Sequence, residues 1–554
     1  MAPANSSSFF RFYDYDPRIP EFSYDEETQS LHIYSDGFYY PKHGDNKPAK
    51  NVYFHGGVRS IDRGALEDCV TVENVYMDDT VDNLSYGAFL QCTSLKNITF
   101  SKSLKKLDLA AFDRCSGLRL LYIPDTITEI APPVMNECGE FREFIVSKDN
   151  KEFTSADGVL YSKDMKVLVR FPSAINGTFT VGEGVEKVGA FAFSVCNIEK
   201  VILPDSLRTV GEGAFYRCER LSTVEGGRYL ERVDSEAFAE CYSLTRCLLP
   251  DTVKELGEHV YIDCTFIKEI HLPSAAQYYE AGFTRHCRML ERITVGDDNP
   301  YYMVHEGAVY TKDGRYLVSI VNSFKGRLEI LPGTLEIEPD ACADRDGLEE
   351  VIIPEGVTVI GSEAFRNCHA LKNVIFPESL AKIDKQAFEH CSSLTEISLP
   401  DRTRSFGEEP FGGCAGLRRL RTYASNPALP VFRGLDRCRA LEAILAPNIK
   451  VSRFNTALSP LAAAGMAEMI LDGEVTDANM KSDLDGCIRA RRSALYVPVT
   501  VNKPLREYIL KNGLFDTDDI SAALETAIGN GRIDVAAELV RARDGSGGSD
   551  DFDI

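Results

Sequence analysis

Cysteine recurs in this chain at a nearly constant spacing, and this period constrains the fold more than any other feature of the sequence. Most neighbouring members of the series are 23 residues apart, with single steps of 22 and 24. A fixed period of this length is typical of a solenoid, in which each unit buries its apolar face by stacking on its neighbours. Thirteen of the sixteen cysteines belong to the series: Cys69, Cys92, Cys115, Cys138, Cys196, Cys218, Cys241, Cys264, Cys287, Cys368, Cys391, Cys414 and Cys438.

The residues around each cysteine indicate a structural role for it. The phrase that begins at Ala88 reads A-F-L-Q-C-T-S-L-K-N-I-T-F, and the phrases at Ala364 and Ala387 repeat it. The consensus is A-F-x-x-C-x-x-L-x-x-I-x-L-P, and x-x-V/L-x-x-I/V-G closes the coil. The I-x-L pair has the two-residue period of a strand with one buried face, which the proline ends. The A-F-x-x-C-x-x-L part predicts a short helical or irregular turn that places Phe, Cys and Leu in the core.

This repeat resembles the BspA-like, or Treponema pallidum-type, leucine-rich repeat over roughly residues 50–450. The resemblance implies a β-rich solenoid of parallel strands that binds other macromolecules. Two segments, near residues 149–174 and 298–325, look like the hairpin inserted in that family. Each contains turn chemistry between β-rich runs, Asp157-Gly158 in the first and Asp313-Gly314 in the second.

The remaining segments differ from the repeats in composition. Residues 1–50 alternate aromatic and polar residues and are interpreted as a β cap on a solenoid that spans residues 51–450. Residues 455–543 change to an Ala-rich helical period and are predicted to form a helical module. Within it, residues 521–540 resemble the two-helix phrase of an ankyrin-like repeat. Residues 544–554 form an acidic, Gly- and Ser-rich tail that is predicted to be disordered.

The sequence favours a cytoplasmic protein with reduced cysteines. The first residues lack the basic start and continuous apolar core of a signal peptide, and no run of eighteen apolar residues is present. Cysteines at equivalent positions of stacked coils are expected to form a column of thiols in the core instead of disulfides. No C-x-x-C spacing occurs, so we predict no metal site, and nothing in the sequence indicates a cofactor.

The charge of the chain narrows the class of partner. A net charge of −23 disfavours nucleic acid and anionic membranes, for which a positive surface supplies most of the affinity. The same charge favours a protein partner with a basic surface. The sequence indicates no oligomeric state.

The candidate binding surface is the outward face of the I-x-L strands. The residue between the two inward positions of each strand points to solvent, and several of these residues are large and apolar. This column is either a docking surface or a set of β-branched residues that are simply good strand formers. The Ile352–Ile375 pair and the Ile202–Leu248 stretch best support a docking surface. The candidate partner-binding residues are Tyr122, Ile202, Leu248, His271, Ile352, Ile375 and Arg421.

These observations favour a non-enzymatic scaffold that binds a protein through its exposed sheet face. Catalytic pairs such as His390–Cys391 are adjacent in sequence only, whereas a nucleophile and its base must meet in space with an orienting group. The alternative is an enzyme of ligase or transferase type, in which the repeats select the substrate. Cys487, which lies outside the repeats in the helical module, would then be the nucleophile.

Overall fold

In the computed structural model, each repeat forms one coil that contributes strands to two parallel ladders. The structure describes residues 22–36, 48–276, 283–424, 428–455 and 457–545. The chain divides into two units, residues 1–264 and 265–554, which are described in turn. The β-rich solenoid and the C-terminal helical module predicted from the sequence are both confirmed.

The described part of the first unit is built from short strands. Their bounds are β1 Phe22–Asp25, β2 Ser30–Ile33, β3 Asn51–Phe54, β4 Ser60–Ile61, β5 Asn74–Met77, β6 Asn83–Leu84, β7 Asn97–Thr99, β8 Lys106–Leu107, β9 Leu120–Ile123, β10 Glu129–Ile130, β11 Glu143–Val146, β12 Phe153–Ala156, β13 Val159–Ser162, β14 Val167–Arg170, β15 Gly177–Thr180, β16 Lys187–Val188, β17 Ile198–Leu203, β18 Thr209–Val210, β19 Thr223–Gly226, β20 Arg232–Val233, β21 Arg246–Cys247 and β22 Glu255–Leu256.

Two parallel ladders run through this unit. The predicted I-x-L strands form the first, in the groups β2–β3–β5–β7, β9–β11 and β15–β17–β19–β21. Two-residue strands from the phrase that closes each coil form most of the second, in the groups β4–β6, β8–β10 and β14–β16–β18–β20–β22. The sequence did not predict this second ladder, because two residues are too few to show a strand period.

The second unit continues with strands and ends in helices. Its described strands are β23 Glu269–Leu272, β24 Arg292–Val295, β25 Tyr302–His305, β26 Ala308–Thr311, β27 Tyr316–Ile320, β28 Gly326–Glu329, β29 Glu336–Ile337, β30 Leu348–Ile352, β31 Val359–Ile360, β32 Asn373–Ile375, β33 Lys382–Ile383, β34 Glu396–Ser398, β35 Ser405–Phe406, β36 Arg419–Arg421 and β37 Ala443–Leu445. Its α-helices are α1 Ser459–Leu471, α2 Ala478–Ala490, α3 Tyr496–Val501, α4 Lys503–Lys511, α5 Thr517–Gly529 and α6 Ile533–Gly545. Short 3-10 helices cover Pro430–Phe432, Leu435–Arg437, Val451–Arg453 and Arg492–Leu495.

An antiparallel hairpin interrupts the coils in each unit, β12–β13 in the first and β25–β26 in the second. A buried asparagine precedes each hairpin. The Asn150 side-chain amide donates to Pro124 O at 2.7 Å and Ile127 O at 2.9 Å, and its Oδ1 accepts from the backbone N–H groups of Glu152 and Phe153. Asn299 makes the same kind of contacts in the second unit, so each asparagine fixes the start of its hairpin against the preceding coil.

Stacked phenylalanines form the centre of each core. In the first unit, Phe193, Phe215 and Phe238 stack with ring centroids 4.8 and 5.2 Å apart. In the second unit, Phe388 lies between Phe365 at 5.0 Å and Phe411 at 5.5 Å. These distances follow the strand spacing of about 4.8 Å, because each ring comes from the A-F turn of one coil. Parallel stacking of the coils therefore places one ring directly above the next.

The residue before each cysteine of the series, except Cys438, has the left-handed backbone conformation. Gln91, Arg114 and His390 have φ values of 63°, 60° and 62°, and Gly413 occupies the same position with φ 68°. This conformation costs a residue with a side chain about 1–2 kcal/mol. A hydrogen bond to the next coil offsets the cost, as when Gln91 N–H donates to Asp113 O at 2.8 Å.

Buried arginines lie at both breaks in the cysteine series. Arg170 donates to Met135 O at 2.6 Å, to Ser194 Oγ at 2.8 Å and to Phe191 O. Arg345 occupies the cysteine position of its own coil and is 1% exposed. It donates to Ile320 O at 2.6 Å, to Thr284 Oγ1 at 2.9 Å and to Ala343 O. Each guanidinium thus satisfies carbonyl groups where a hairpin displaces the regular coil.

Each unit contains one place where the first ladder is interrupted between neighbouring coils without a hairpin, and we call these places seams. Within the described residues, β7 does not pair with β9, and β32 does not pair with β34. Phe100 and Phe376 stand at the second inward position just before the seams. Each packs edge-on against the phenylalanine of the next turn, with centroids 6.2 and 5.8 Å apart. A regular repeat period therefore does not guarantee continuous strand pairing.

The predicted terminal segments are described in part. Strands β1 and β2 form an antiparallel hairpin within the predicted cap, and β2 pairs in parallel with β3. The rest of the cap, residues 1–21 and 37–47, lies outside the described residues. Helix α6 ends at Gly545, so the first two residues of the predicted disordered tail are helical. Residues 546–554 of that tail lie outside the described residues.

Candidate functional site: the outward strand face

The outward face of the first unit exposes a group of apolar side chains on β9 and β11. Leu120 and Tyr122 are 40% and 48% exposed on β9, and Ile145 is 41% exposed on β11. Tyr122 lies in register with Ile145 across the two parallel strands. We call these three residues the apolar patch. Of the other candidates in this unit, Leu248 is exposed and Ile202 is half-buried.

An aromatic column lies on the same face, on β2, β3 and β5. The rings of His32 and Tyr53 stack with centroids 4.9 Å apart, and those of Tyr53 and Tyr76 are 4.6 Å apart. Beside them, Tyr34 stacks on His55 at 4.8 Å, and His32 Nδ1 lies 2.9 Å from His55 Nε2. We call these five residues the aromatic stripe. The residues predicted to bind a partner do not include this stripe, although Asn51-Val-Tyr-Phe and Asn74-Val-Tyr-Met have the same alternation as the I-x-L strands.

Hydrogen bonds between asparagines hold the strands beneath these side chains in register. The Asn74 side-chain amide donates to Asn51 Oδ1 at 2.8 Å, and the Asn97 amide donates to Asn74 Oδ1 at 2.8 Å. Such ladders of identical residues form where parallel strands align equivalent positions. The aromatic stripe therefore rests on a rigid and regular backbone.

The candidates of the second unit are more polar in their surroundings. Ile375 is 46% exposed, whereas Ile352 and His271 are half-buried. His271 Nδ1 lies 2.9 Å from Thr294 Oγ1. Next to Ile352, Arg327 forms ion pairs with Glu329 at 2.8 Å and Glu350 at 3.8 Å. The Ile352–Ile375 pair, favoured by the sequence, is thus smaller than the apolar patch and lies beside charged residues.

Arg421 is engaged within the chain. Its guanidinium donates to both carboxylate oxygens of Glu474, at 2.8 and 3.1 Å, and these bonds raise its pKa. Arg419 forms an ion pair with Glu468 of α1. Leu445, the outward residue of β37, is buried. Helix α1 and the loop after it therefore cover the outward face at the last strands, and Arg421 serves this intramolecular contact.

The cysteines of the series make a column of hydrogen bonds in the core. All sixteen cysteines are free and buried. Cys115 Sγ donates to Phe89 O at 3.1 Å, and Cys391 Sγ donates to Phe365 O at 3.1 Å. Most thiols of the series reach the carbonyl of the phenylalanine one coil earlier in this way, whereas Cys92 donates to Leu66 O and Cys368 donates to Cys342 O. No group of three or more metal-binding side chains occurs among the residues that the structure describes.

Cys487 lies in α2 and is also buried. Its Sγ is 3.3 Å from Ser459 Oγ, the one hydrogen-bond partner that the described residues supply. The neighbouring carboxylates point elsewhere, since Asp483 accepts from Ser452 and Asp485 accepts from Tyr508. A nucleophilic cysteine needs a base within hydrogen-bonding distance. The geometry around Cys487 gives the enzyme alternative no support.

The buried thiols lead to a prediction about reactivity and pH. Burial raises the pKa of Cys138, Cys247 and Cys368 to about 12 from the ordinary 9.0. We expect all thiols, Cys487 included, to resist iodoacetamide in the native protein near neutral pH and to react in concentrated urea. Because thiols of the unfolded chain ionise at lower pH, their stabilising contribution is complete below pH 9 and is lost as the pH rises toward 12.

Peptide mapping by mass spectrometry measures the alkylation, and urea unfolding at increasing pH measures the stability. Rapid and selective labelling of Cys487 in the native protein would contradict the prediction and favour the enzyme alternative.

Comparisons with known proteins agree with this architecture. The model of the BspA type leucine rich repeat region matches in six copies, at residues 43–156, 186–302 and 335–428. No curated protein sequence matches the chain significantly. No helix among the described residues is long and apolar enough to cross a membrane.

Several solved structures are similar to this chain. A leucine rich cell surface protein from Faecalibacterium prausnitzii is 21% identical, covers 78% of this chain and 95% of its own, and has a TM-score of 0.37. The pneumococcal vaccine antigen PcpA is 18% identical over 77% of this chain and 84% of its own, with a TM-score of 0.39. A leucine-rich repeat protein from Bacteroides ovatus is 21% identical over 74% and 94%, with a TM-score of 0.34. Since the repeat family covers more than half of the sequence, the chain belongs to the BspA-type leucine-rich repeat family.

Proposed function

We propose that this repeat scaffold is a non-enzymatic protein that binds a protein partner through the outward strand face of its first unit. The observation that carries the proposal is the apolar patch, three large side chains that are each at least 40% exposed on two neighbouring strands. Contiguous exposed apolar residues on a regular surface are typical of protein-binding sites. Tyrosine is also enriched at such sites, because its ring is rigid and amphipathic.

The aromatic stripe extends this surface on the strands before the patch. Tyr34 and Tyr76 are 38% and 36% exposed, so their rings add contact area at little cost in side-chain entropy. The outward face of the second unit supports the proposal less well. There Ile375 is the one candidate that is well exposed, and Arg421 is paired with Glu474.

We also propose that the protein works in a reducing compartment, which is the cytoplasm. All sixteen cysteines are free and buried, and the cysteine column needs protonated thiols to donate its hydrogen bonds. The scaffold needs no cofactor for binding of this kind.

Replacing Tyr122 and Ile145 together with serine tests the proposal. The double variant removes most of the apolar area of the patch, and each fully buried side chain of this size contributes roughly 1.5–3 kcal/mol. We therefore expect proteins that the wild-type chain retains in quantitative affinity capture to bind at least about tenfold more weakly.

Phe266→Ser is the matched control, since Phe266 is 52% exposed in a turn outside the strand face. It should leave retention unchanged. Equal retention by the double variant and the control, with both chains folded by circular dichroism, would show that the partner binds elsewhere.

A further inference from the structure

The column of outward residues in the first unit contains a gap at Thr99. Tyr53 and Tyr76 stack with centroids 4.6 Å apart and ring planes 10° apart, which matches the strand spacing of about 4.8 Å. Thr99 follows in register with Tyr76, and Tyr122 occupies the equivalent position 23 residues later. Thr99 is exposed and too small to continue the stack. The column therefore carries a ring on either side of Thr99 and no ring at Thr99 itself.

The width of this gap suits one flat group. Tyr76 and Tyr122 are two coils apart, and across the second of these steps the phenylalanines Phe89 and Phe112 have ring centroids 5.6 Å apart. Two steps of about the strand spacing or slightly more leave room for one planar group with a ring on either side of it. Tyr76 and Tyr122 are 36% and 48% exposed, so the gap is open to solvent. No ladder pairing joins β7 to β9 in this described region, so the backbone does not clamp the separation.

A carboxylate lies beside the gap. Asp78 follows Tyr76 by two residues, which places it on the same face. It is exposed, its side chain accepts from Thr80 N–H at 3.3 Å, and in the described part of the chain it forms no ion pair, although its charge acts weakly on Lys102. The nearby lysines are already paired, Lys96 with Glu73 at 2.7 Å and Lys102 with Asp79 at 2.9 Å. The Asp78 carboxylate can therefore pair with a cationic group of a partner.

The width of the gap and the charge of Asp78 together favour one kind of ligand group. A neutral ring would leave the Asp78 carboxylate without a partner, and an ammonium group is not planar. A guanidinium is flat, stacks on aromatic faces and donates in a fork that matches a carboxylate. The net charge of −23 attracts cationic partners from a distance. Resting on the protein-binding function proposed above, we infer that the Thr99 gap binds an arginine side chain of the partner, held between Tyr76 and Tyr122 and bonded to Asp78.

The test uses the full chain and two dye-labelled peptides, one of alternating Arg and Gly and one of alternating Lys and Gly with the same charge. Fluorescence anisotropy measures their Kd values. We expect the Arg peptide to bind about tenfold more tightly than the Lys peptide. Thr99→Tyr fills the gap and Asp78→Asn removes the charge, so each should weaken Arg-peptide binding by about fivefold or more.

Thr180→Tyr is the matched control, because Thr180 is an exposed outward residue of β15 and its register partner on β17 is Ile202, not a tyrosine. It should leave the Kd of the Arg peptide unchanged. Tyr76→Leu tests the stacking independently, since it keeps an apolar side chain and removes one of the two aromatic rings. It should weaken Arg-peptide binding without changing the Lys-peptide Kd.

Equal affinities for the two peptides, or an unchanged Kd in both Thr99→Tyr and Tyr76→Leu, would overturn the inference. Stronger binding of a Tyr-Gly peptide than of the Arg peptide would do so as well, because the gap would then prefer a neutral ring. The proposed function is tested separately by the Tyr122 and Ile145 double variant. If capture depends on the apolar patch while Thr99→Tyr has no effect, the protein-binding surface is supported and the arginine site is wrong.

Discussion

Arg345→Ala is expected to lower the free energy of unfolding by about 3–5 kcal/mol. The side chain is 1% exposed and donates to Ile320 O, Ala343 O and Thr284 Oγ1. Its removal takes the side-chain donors away from the two carbonyl groups, while Thr284 Oγ1 keeps Ser319 Oγ at 2.6 Å, and it opens a cavity next to the cysteine column. Burial lowers the pKa of the guanidinium, because the buried site disfavours its charge. Urea unfolding of the full chain, followed by circular dichroism, measures the change.

Two further variants separate the causes. Arg345→Met keeps most of the side-chain volume and removes the donors, so we expect a smaller loss of about 1–3 kcal/mol. Arg315→Ala is the control, since Arg315 is an exposed residue paired with Asp313 near the same hairpin. It should change stability by no more than about 0.5 kcal/mol. If both Arg345 variants were as stable as the control, the buried arginine would have no role in joining the hairpin to the coils.

Phe388→Ala is expected to destabilise the second unit by a similar amount, about 3–5 kcal/mol. Its ring is fully buried and packs between Phe365 and Phe411. A third ring, that of Phe376, packs edge-on against it at 5.8 Å. Alanine would leave a cavity that the stacked coils on either side cannot close, because their second-ladder strands β31, β33 and β35 are paired in register. The shift of the urea midpoint measures the loss.

The shape of the site predicts an order among substitutions at Phe388. Leucine retains most of the apolar volume and should cost less than alanine. Phe266→Ala, at an exposed turn position, should cost no more than about 0.5 kcal/mol. A loss below about 1 kcal/mol for Phe388→Ala would mean that the phenylalanine stack is not a main source of stability.

The repeat phrase was sufficient to predict the coil because its information is local. The A-F-x-x-C-x-x-L and I-x-L positions state which side chains point inward, and stacking of identical coils then follows. The two-residue strands of the second ladder, such as Lys187–Val188, escaped prediction because they are too short to show a period. The burial of Arg345 was not predicted either, since nothing in the local sequence indicates that a charged residue at a cysteine position is buried.

The candidate site was less predictable, because exposure depends on distant parts of the chain. Arg421 follows the outward pattern, yet Glu474, 53 residues later, pairs with it. Tyr53 and Tyr76 also follow the outward pattern, but the predicted candidates did not include them. Alternation identifies the face of a strand. Which part of that face remains open is decided by the helices and hairpins packed against it.

The seams have a consequence for how each unit loses its structure. Parallel ladders couple neighbouring coils through shared backbone hydrogen bonds, and a stacked array melts cooperatively only as far as that coupling extends. At Asn97–Thr99 in one unit and Asn373–Ile375 in the other, the first ladder stops while the side-chain core continues. Among the described strands, the second ladder also stops at the first seam, between β6 and β8, but it continues through β31, β33 and β35 at the second seam. The first seam is therefore the place where fraying can halt. Amide hydrogen exchange should change in a step there, dividing the first unit into blocks that open separately, and should change gradually at the second seam.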